Sequence, residues 1–595
     1  MPATESEPLD PFKRTHLFTA LMVGAHALFG HAASAAAAPR GADLAGDKNG
    51  AAYFPPGIHT LAPGERDLQA ALDKHGSVRL GAGTFGNCVL RSGQHLRGIM
   101  GKTKVERVTV EPGAHGFSLM GVNGEVVFPA SRVVTRDGFI GMRVGGISGR
   151  GAALERMLFF ACMHSAVDLR DSRTEHCTWV HQQTHDGGWQ SDRPVFVLSG
   201  QGSDNTIVAF NALGAWRTPL SVADQRRFAV IGFDEETYKP HEDGGPSLLL
   251  RNSAGATLVG MGGYPHGSDG LDADRPVTVI LSDQSSDSGK QLAALRGGGS
   301  VVRSRRYAAS AGLPNAAALP EGLALLAAWT RPPVIAPAPP HAGALPDDTA
   351  ELQRLLDAGG EIVLAPRAYG VNSTLRAPVG ATLSGTWGRT TLVAQGTFPL
   401  LKIDGTGTVP LNLYDIQLQG GSVGVHITEP GLQLNAFAWS GVTFRGQTLA
   451  GVLLDRGYAI DNAGMYRCAF VDCAAGLLQM PVEGEVADRN PSLAYIDKFH
   501  ALECLFEGCG RPLDLRIRRA DNLVTWTRCT FRHNRQAPFI GSGANYPIFV
   551  GCQFIGAGSG GLAIDSGSAT TVIARCFFEG AHGIGDNLAL NCEFA

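Results

Sequence analysis

The chain has 595 residues, 78 of them glycine, or about 13% against roughly 7% in an average protein, while charged residues are 17% against a usual ~25%. With 44% hydrophobic residues it is too apolar to be disordered, it lacks the Gly-X-Y period of collagen, and it holds too much glycine for a helical bundle, where each interior glycine costs about 1 kcal/mol relative to alanine. A formal net charge of -4 gives no general attraction to nucleic acid or to an anionic membrane.

Residues 1–40 read as an export segment. Lys13 and Arg14 precede a mostly apolar run at 17–29, and Ala33-Ser34-Ala35 offers a small-residue cleavage site. This places the protein in the periplasm or outside the cell, with no integral membrane segment after the signal is removed, since no other stretch reaches 18 apolar residues. Residues 41–306 then form a first domain. It opens at 67–85 with a short helix and a first strand, and it contains two spaced triplets, Met157/Phe159/Cys162 and Cys177/Trp179/Gln182. A polar cluster follows, with His181, His185, Asp186, Trp189, Asp192 and Arg193. Its His-x-x-x-His spacing would suit a metal on a helix face, but the segment reads as turn and loop, so it stands as either a sugar-contact loop or a structural turn. Asp269, Asp272 and Asp274 could hold calcium, the one cofactor the residues allow, although the glycine and glutamate of an EF-hand loop are missing. Residues 307–345 form a Pro/Ala-rich linker with a short helix at 321–329. The opening pattern recurs at 347–385 and starts a second domain at 346–595.

The second domain carries a repeat. Cys468/Phe470, Cys504/Phe506, Cys529/Phe531, Cys552/Phe554, Cys576/Phe578 and Cys592/Phe594 share one spacing, and Ile416/Leu418 and Val442/Phe444 occupy the same slot. From Ile416 onward the steps are 26, 26, 36, 25, 23, 24 and 16 residues, the period of a solenoid. Apolar residues at i and i+2 share one face of a strand, and about 24 residues accommodate three strands and three turns, which makes a parallel β-helix. Equivalent side chains then stack every ~4.8 Å into ladders of cysteine and phenylalanine. Five residues after the repeat cysteines stand Cys473, Cys509 and Asn534, at a place where the chain must turn. Stacked inward cysteines behave as small buried hydrophobes, so the eleven are expected as mostly free thiols. The excess glycine belongs at coil corners such as Gly446, Gly476, Gly508, Gly541 and Gly580.

Both opening patterns, Asp-Leu-Gln-Ala-Ala-Leu with Ser-Val-Arg-Leu-Gly-Ala-Gly-Thr-Phe and Glu-Leu-Gln-Arg-Leu-Leu with Gly-Gly-Glu-Ile-Val-Leu-Ala-Pro-Arg-Ala-Tyr, resemble the start of the pectate lyase-like (pectin lyase fold) superfamily. The resemblance implies an all-β fold of two tandem right-handed parallel β-helices, each opened by a short capping helix, and it points to a polysaccharide partner. The paired layout is similar to that of exo-β-1,3-glucanases built from two β-helices. Catalytic motifs of polygalacturonases, pectate lyases and alginate epimerases are absent from the sequence.

The 36-residue step from Cys468 to Cys504 carries an insertion around 481–490 with Glu483 and Glu485, and an insertion in a solenoid emerges as a surface loop. Aligned on their cysteines, Ile517, Ile540 and Ile564 form one inward ladder, with Ile496 taking the slot in the coil before. Their neighbours then make an outer strip of Tyr495, Asp497, Arg516, Arg518, Phe539 and Asp565. Aromatics stack on sugars, arginines pair with uronates and carboxylates serve as acid, base or calcium ligand, so the strip reads as a glycan groove or as a solvated charge ladder. Asp497, Arg518, Lys498, His500, Glu483 and Glu485 are the catalytic candidates. Tyr495, Arg516, Phe539, Asp565, His185, Trp189 and Arg193 are the substrate-binding ones. The function expected is that of a polysaccharide lyase, acting by β-elimination on a uronic glycan, or a glycoside hydrolase; the alternative is a noncatalytic glycan-binding or adhesin-like protein.

Overall fold

The computed structural model describes residues 59–304 and 337–594, apart from the segments 62–66, 164–165, 186–195, 214–217, 237–245, 265–270, 283–299, 405–410, 428–432, 436–437, 456–458, 481–494, 517–520, 542–543, 557–563, 567–570 and 581–587 and the single positions 247, 379, 546 and 591. The expected export segment and the 321–329 helix lie outside the described residues. Two helices are described, and the rest of the regular structure is strand.

Helix α1, Leu68–His75, begins at Asp67, whose carboxylate accepts from the Ala70 amide at 2.8 Å, and ends at left-handed Gly76. Leu68, Ala71 and Leu72 are its buried face. Helix α2, Thr349–Ala358, buries Leu352 and Leu356 in the same way, and each helix closes the first coil of a solenoid. Strands between His59 and Ser304 make parallel sheets of twelve, ten and five strands, and strands between Glu361 and Phe594 make parallel sheets of eleven, ten and eight, with one two-stranded pair. Two parallel β-helices in tandem are therefore the fold, and each coil spends one strand on each of three sheets.

The repeat spacing translates into register. Phe159 pairs with Trp179 and Cys162 with Gln182, and Phe444, Phe470, Phe506, Phe531, Phe554 and Phe578 stack with ring centroids 4.7, 4.8, 4.8, 4.9 and 4.9 Å apart. That is the strand spacing itself, expressed in side chains. All eleven cysteines are free thiols. Each repeat thiol donates to a carbonyl of the coil before, as from Cys504 to Met465 and from Cys529 to Ala501, so a weak donor is satisfied without leaving the core. At the second ladder Gln447 precedes Cys473, and Asn534 follows Cys509; the Asn534 amide donates to the Phe506 carbonyl at 3.0 Å and its oxygen accepts from the Cys509 amide at 2.9 Å. Gly446, Gly508 and Gly580 turn corners with φ of 68, 65 and 71°. Gly476 differs from expectation: it lies within the strand Ala475–Gln479, where a Cβ would meet the Pro512 carbonyl oxygen at 2.3 Å.

The two solenoids lie side by side. The twelve-stranded sheet of the first faces the eleven-stranded sheet of the second across an apolar seam that includes Met100, Met142, Phe160, Val208 and Ile231 on one side and Tyr414, Tyr466, Leu502, Ile548 and Val550 on the other. Early coils meet early coils: Arg97 forms an ion pair with Asp415 and lies over the Tyr414 ring at 4.3 Å. Later coils meet later ones, as where Gly232 approaches Ile548. The two axes therefore run in the same sense. Of the expected linker, residues 337–341 are docked on the ten-stranded sheet of the second solenoid. The Ala338 carbonyl accepts from Arg445 at 2.9 Å, the Pro339 carbonyl from Gln417 at 3.0 Å, and the His341 amide donates to Gln419 at 2.8 Å.

Candidate functional site

The eight-stranded sheet packs only its inner face into the solenoid core. In Arg511–Leu515, Leu513 and Leu515 are fully buried, so Asp514 between them points outward. Register then carries an outward column along the sheet: Arg376, Lys402 and His426, next Leu453 and Leu478, and finally Asp514, Phe539 and Asp565. One end of the column is cationic and the other acidic and aromatic; the apolar step between, Leu453 and Leu478, is buried with Val423, Ala450 and Ala475, and Asp514 is 9% exposed.

At the acidic end the arrangement is specific. Arg516 donates from Nε and a terminal nitrogen to the two Asp514 oxygens at 3.2 Å each, and Arg511 lies 3.7 Å from the same carboxylate. Arg511 also sits over the Phe539 ring, 5.5 Å from its centroid. The Asp514 contact raises the affinity of Arg516 for its proton. Phe539 is half-buried with Asp514 and Asp565 as its register neighbours on either side, so the two carboxylates come from strands two steps apart, about 10 Å along the axis. At the cationic end His426 Nε2 lies 3.5 Å from an Asp455 oxygen, beside Lys402.

This register corrects the alignment made on the cysteines. Leu515, Ile540 and Ser566 are the paired positions, not Ile517, Ile540 and Ile564. Corners between strands take variable numbers of residues, and an error of two keeps the in–out parity while moving every partner. Arg516, Phe539 and Asp565 remain on or beside one outer face, and Asp514 is the member that counting missed. The alternation Leu-Asp-Leu was its only signal.

The other half of the expected strip lies on a different sheet. Tyr495–Leu502 belongs to the eleven-stranded sheet, where Ile496 pairs with Ile460 and Asp497 with Asp461. Lys498, with a left-handed φ of 50°, is 4% exposed and His500 is fully buried, both in the seam and not on an open groove. His500 meets His181 of the first solenoid, ring centroids 3.5 Å apart. Two clusters that the sequence puts in separate domains thus sit on strands in contact. The strand Thr178–His185 ends at His185 beside the segment 186–195; Trp189, Arg193, Glu483, Glu485 and Arg518 lie outside the described residues. Burial and the neighbouring Lys498 push the His181 proton affinity down to about 3, and the same causes, with His181 added, hold His500 well below the ordinary imidazole range.

The calcium candidates are otherwise engaged where described. Asp272 accepts from Arg251 at 2.6 and 3.1 Å, and Asp274 accepts from the Asn252 amide at 2.7 Å. Among the described residues no group of three or more His, Cys, Asp or Glu side chains is placed to hold a metal ion.

No protein-family model matches the chain, and no curated protein does. Among solved structures it is similar to a mutant of the PL6-family alginate lyase AlyGC, at 10% identity over 90% of this chain and 100% of that one, with a TM-score of 0.26. It is also similar to the catalytic domain of GH87 alpha-1,3-glucanase in complex with nigerose, at 10% identity over 77% and 66% of the two chains, TM-score 0.18. A third is a variant of sacteLam55A from Streptomyces sp. SirexAA-E in complex with glucose, at 10% identity over 91% of each chain, TM-score 0.21. Scores this low carry no argument about what the chain does.

Proposed function

We propose that this is an exported carbohydrate-active protein that binds a polysaccharide along the outer face of the eight-stranded sheet and hydrolyses it between Asp514 and Asp565. The observation that carries this reading is the register Asp514, Phe539, Asp565, an aromatic platform with a carboxylate on each side. A sugar ring stacks on Phe539. Asp514, held in place by Arg511 and Arg516, takes the proton of an attacking water. Asp565 protonates the leaving oxygen. Backbones about 10 Å apart suit carboxyls near the upper end of the ~6.5–9.5 Å that leaves room for a water, which is the inverting geometry. The cationic run Arg376, Lys402 and His426 extends the same column toward uronic substrates, whose carboxylates pair with such groups.

A second reading rests on His426 and Asp455. With Asp455 orienting His426, the imidazole could abstract a C5 proton while Lys402 and Arg376 neutralise the uronate, which is β-elimination at the other end of the column. Export follows from residues 1–40 as part of the same proposal, and among the described residues no helix is long and apolar enough to cross a membrane.

The test is to incubate the purified chain with uronic and neutral polysaccharides while following reducing ends and the absorbance of unsaturated ends together. Reducing ends without absorbance, abolished in Asp514→Asn and in Asp565→Asn, support hydrolysis. Absorbance that His426→Gln removes supports elimination. Binding without turnover on every glycan makes the protein a noncatalytic binder, and turnover indifferent to all three substitutions removes the site.

A further inference from the structure

The seam between the solenoids is largely apolar, crossed near the first coils by the Arg97–Asp415 and Arg79–Glu361 ion pairs and farther along by the contact of His181 with His500. Both rings are fully buried. Among the described residues neither His181 nitrogen has a hydrogen-bond partner, nor has Nε2 of His500, whose Nδ1 shares a hydrogen bond with the Thr525 hydroxyl. His181 and Lys498 both hold left-handed backbone, with φ of 52 and 50°, a conformation that costs energy outside glycine and persists where surrounding packing imposes it. Two left-handed positions, each in unbroken register with its neighbouring strands, thus lie where the two imidazoles meet, with no anion between them among the described residues.

We infer that the His181–His500 contact is an acid-sensitive latch, closed while both rings are neutral and forced open when either takes a proton. The charged group acting on both rings is Lys498, on the strand of His500, and each imidazolium would repel the other ring's proton as well. The strands packed against them contribute Ala161 and Met163, Ala209 and Asn211, Gly464, and Thr525, all uncharged. The acidic residues on these and adjoining seam strands are Asp461, Asp497, Asp234, Glu235 and Glu236, the last two paired with Ala212 and Leu213 beyond Asn211. Asp461 and Asp497 pair with each other three register positions before Gly464 and His500, and Asp234 pairs with Asn211.

The sign follows from linkage. An imidazole whose proton affinity is depressed in the closed state, to about 3 for His181, titrates near 6.5 once released. The closed state is at full strength above pH ~6.5 and weakens as pH falls from there toward 3. Between pH 7.5 and 4.5 His181 alone shifts the opening equilibrium about 100-fold.

Hydrogen–deuterium exchange on the full chain at pH 7.5 and 4.5, corrected for intrinsic exchange, tests this. Amides of Thr178–His185 and Tyr495–Leu502 should lose protection at least 10-fold at the lower pH while the phenylalanine-ladder strands keep theirs. The double variant His181→Leu/His500→Leu, or His500→Gln alone if the double variant does not fold, should lessen that difference. Equal seam protection at both pH values, a loss spread evenly over all strands, or an undiminished loss in the variant would overturn the latch.

Discussion

The rings of Phe139 and Tyr466, one from each solenoid, stack with centroids 4.8 Å apart and planes 16° from parallel. Phe160 leans on the same Tyr466 ring at 6.3 Å, and both phenylalanines are fully buried. The seam is thus packed as a core is packed, and losing a ring there leaves a cavity. Phe139→Ala should cost about 3–5 kcal/mol in denaturant unfolding. If the seam couples the halves so that the native chain unfolds in one transition, the variant should unfold in two.

Within the second solenoid, Phe506 is clamped between Phe470 and Phe531 at 4.8 Å on each side. Phe506→Ala should cost about 3–5 kcal/mol, and Phe506→Leu clearly less, because leucine fills more of the slot. A thermal or urea melt of the two variants side by side checks the order.

Glu503 is 1% exposed at a left-handed corner, between Arg467 at 2.8 Å and Arg528 at 3.2 Å. Removing the carboxylate leaves two guanidiniums facing each other across one coil. Glu503→Ala should destabilise by about 3–5 kcal/mol. Urea midpoints measure it, and a cost under ~1 kcal/mol would show that water reaches this corner.

The thiols should be inert in the folded protein. Burial pushes Cys88 and Cys177 up to about 12; against burial, hydrogen bonds from neighbouring thiols draw Cys473 and Cys576 downward, but those two are buried as deeply, and a thiol reacts only where its thiolate meets the reagent. At pH 8 a thiol reagent should find at most Cys592, the one cysteine that is only half-buried, and all eleven after denaturation. Rapid labelling of several native thiols would contradict the stacked ladder.

At the proposed site Asp514→Asn should lower kcat by about 10²–10⁴-fold with the substrate still bound, the range for losing a general base or acid. Phe539→Ala should instead raise KM several-fold, because losing an aromatic contact of about 1 kcal/mol weakens binding in ground and transition states alike. Steady-state kinetics on whichever glycan is turned over separates the two effects.

Much of this was legible in advance where a residue's position repeats. The spacing of Cys468/Phe470 and its successors predicts an inner ladder, and the rings stack as that spacing requires. Asp67 ahead of Leu68 and Gly76 after His75 mark the ends of the capping helix. The outer strip was legible only in half. Phe539 and Asp565 could be placed outward by parity, whereas their partner Asp514 required register, and register across a corner of variable length cannot be counted from a cysteine two strands away.

What the amino-acid order determined by itself is everything periodic: a strand has a period of two and a coil of about 24 residues, so side chains recurring at those intervals stack on one face in a ladder. The docking of the solenoids is of another kind. Nothing periodic links His181 to His500, which are 319 residues apart in the chain. Their meeting depends on which sheet of each solenoid turns toward the other, with left-handed backbone at His181 and Lys498. Tertiary packing alone decided that Lys498 and His500, polar residues expected on an open groove, would be buried, because the apolar outer faces of two sheets gain more by covering each other than those few side chains lose by leaving water.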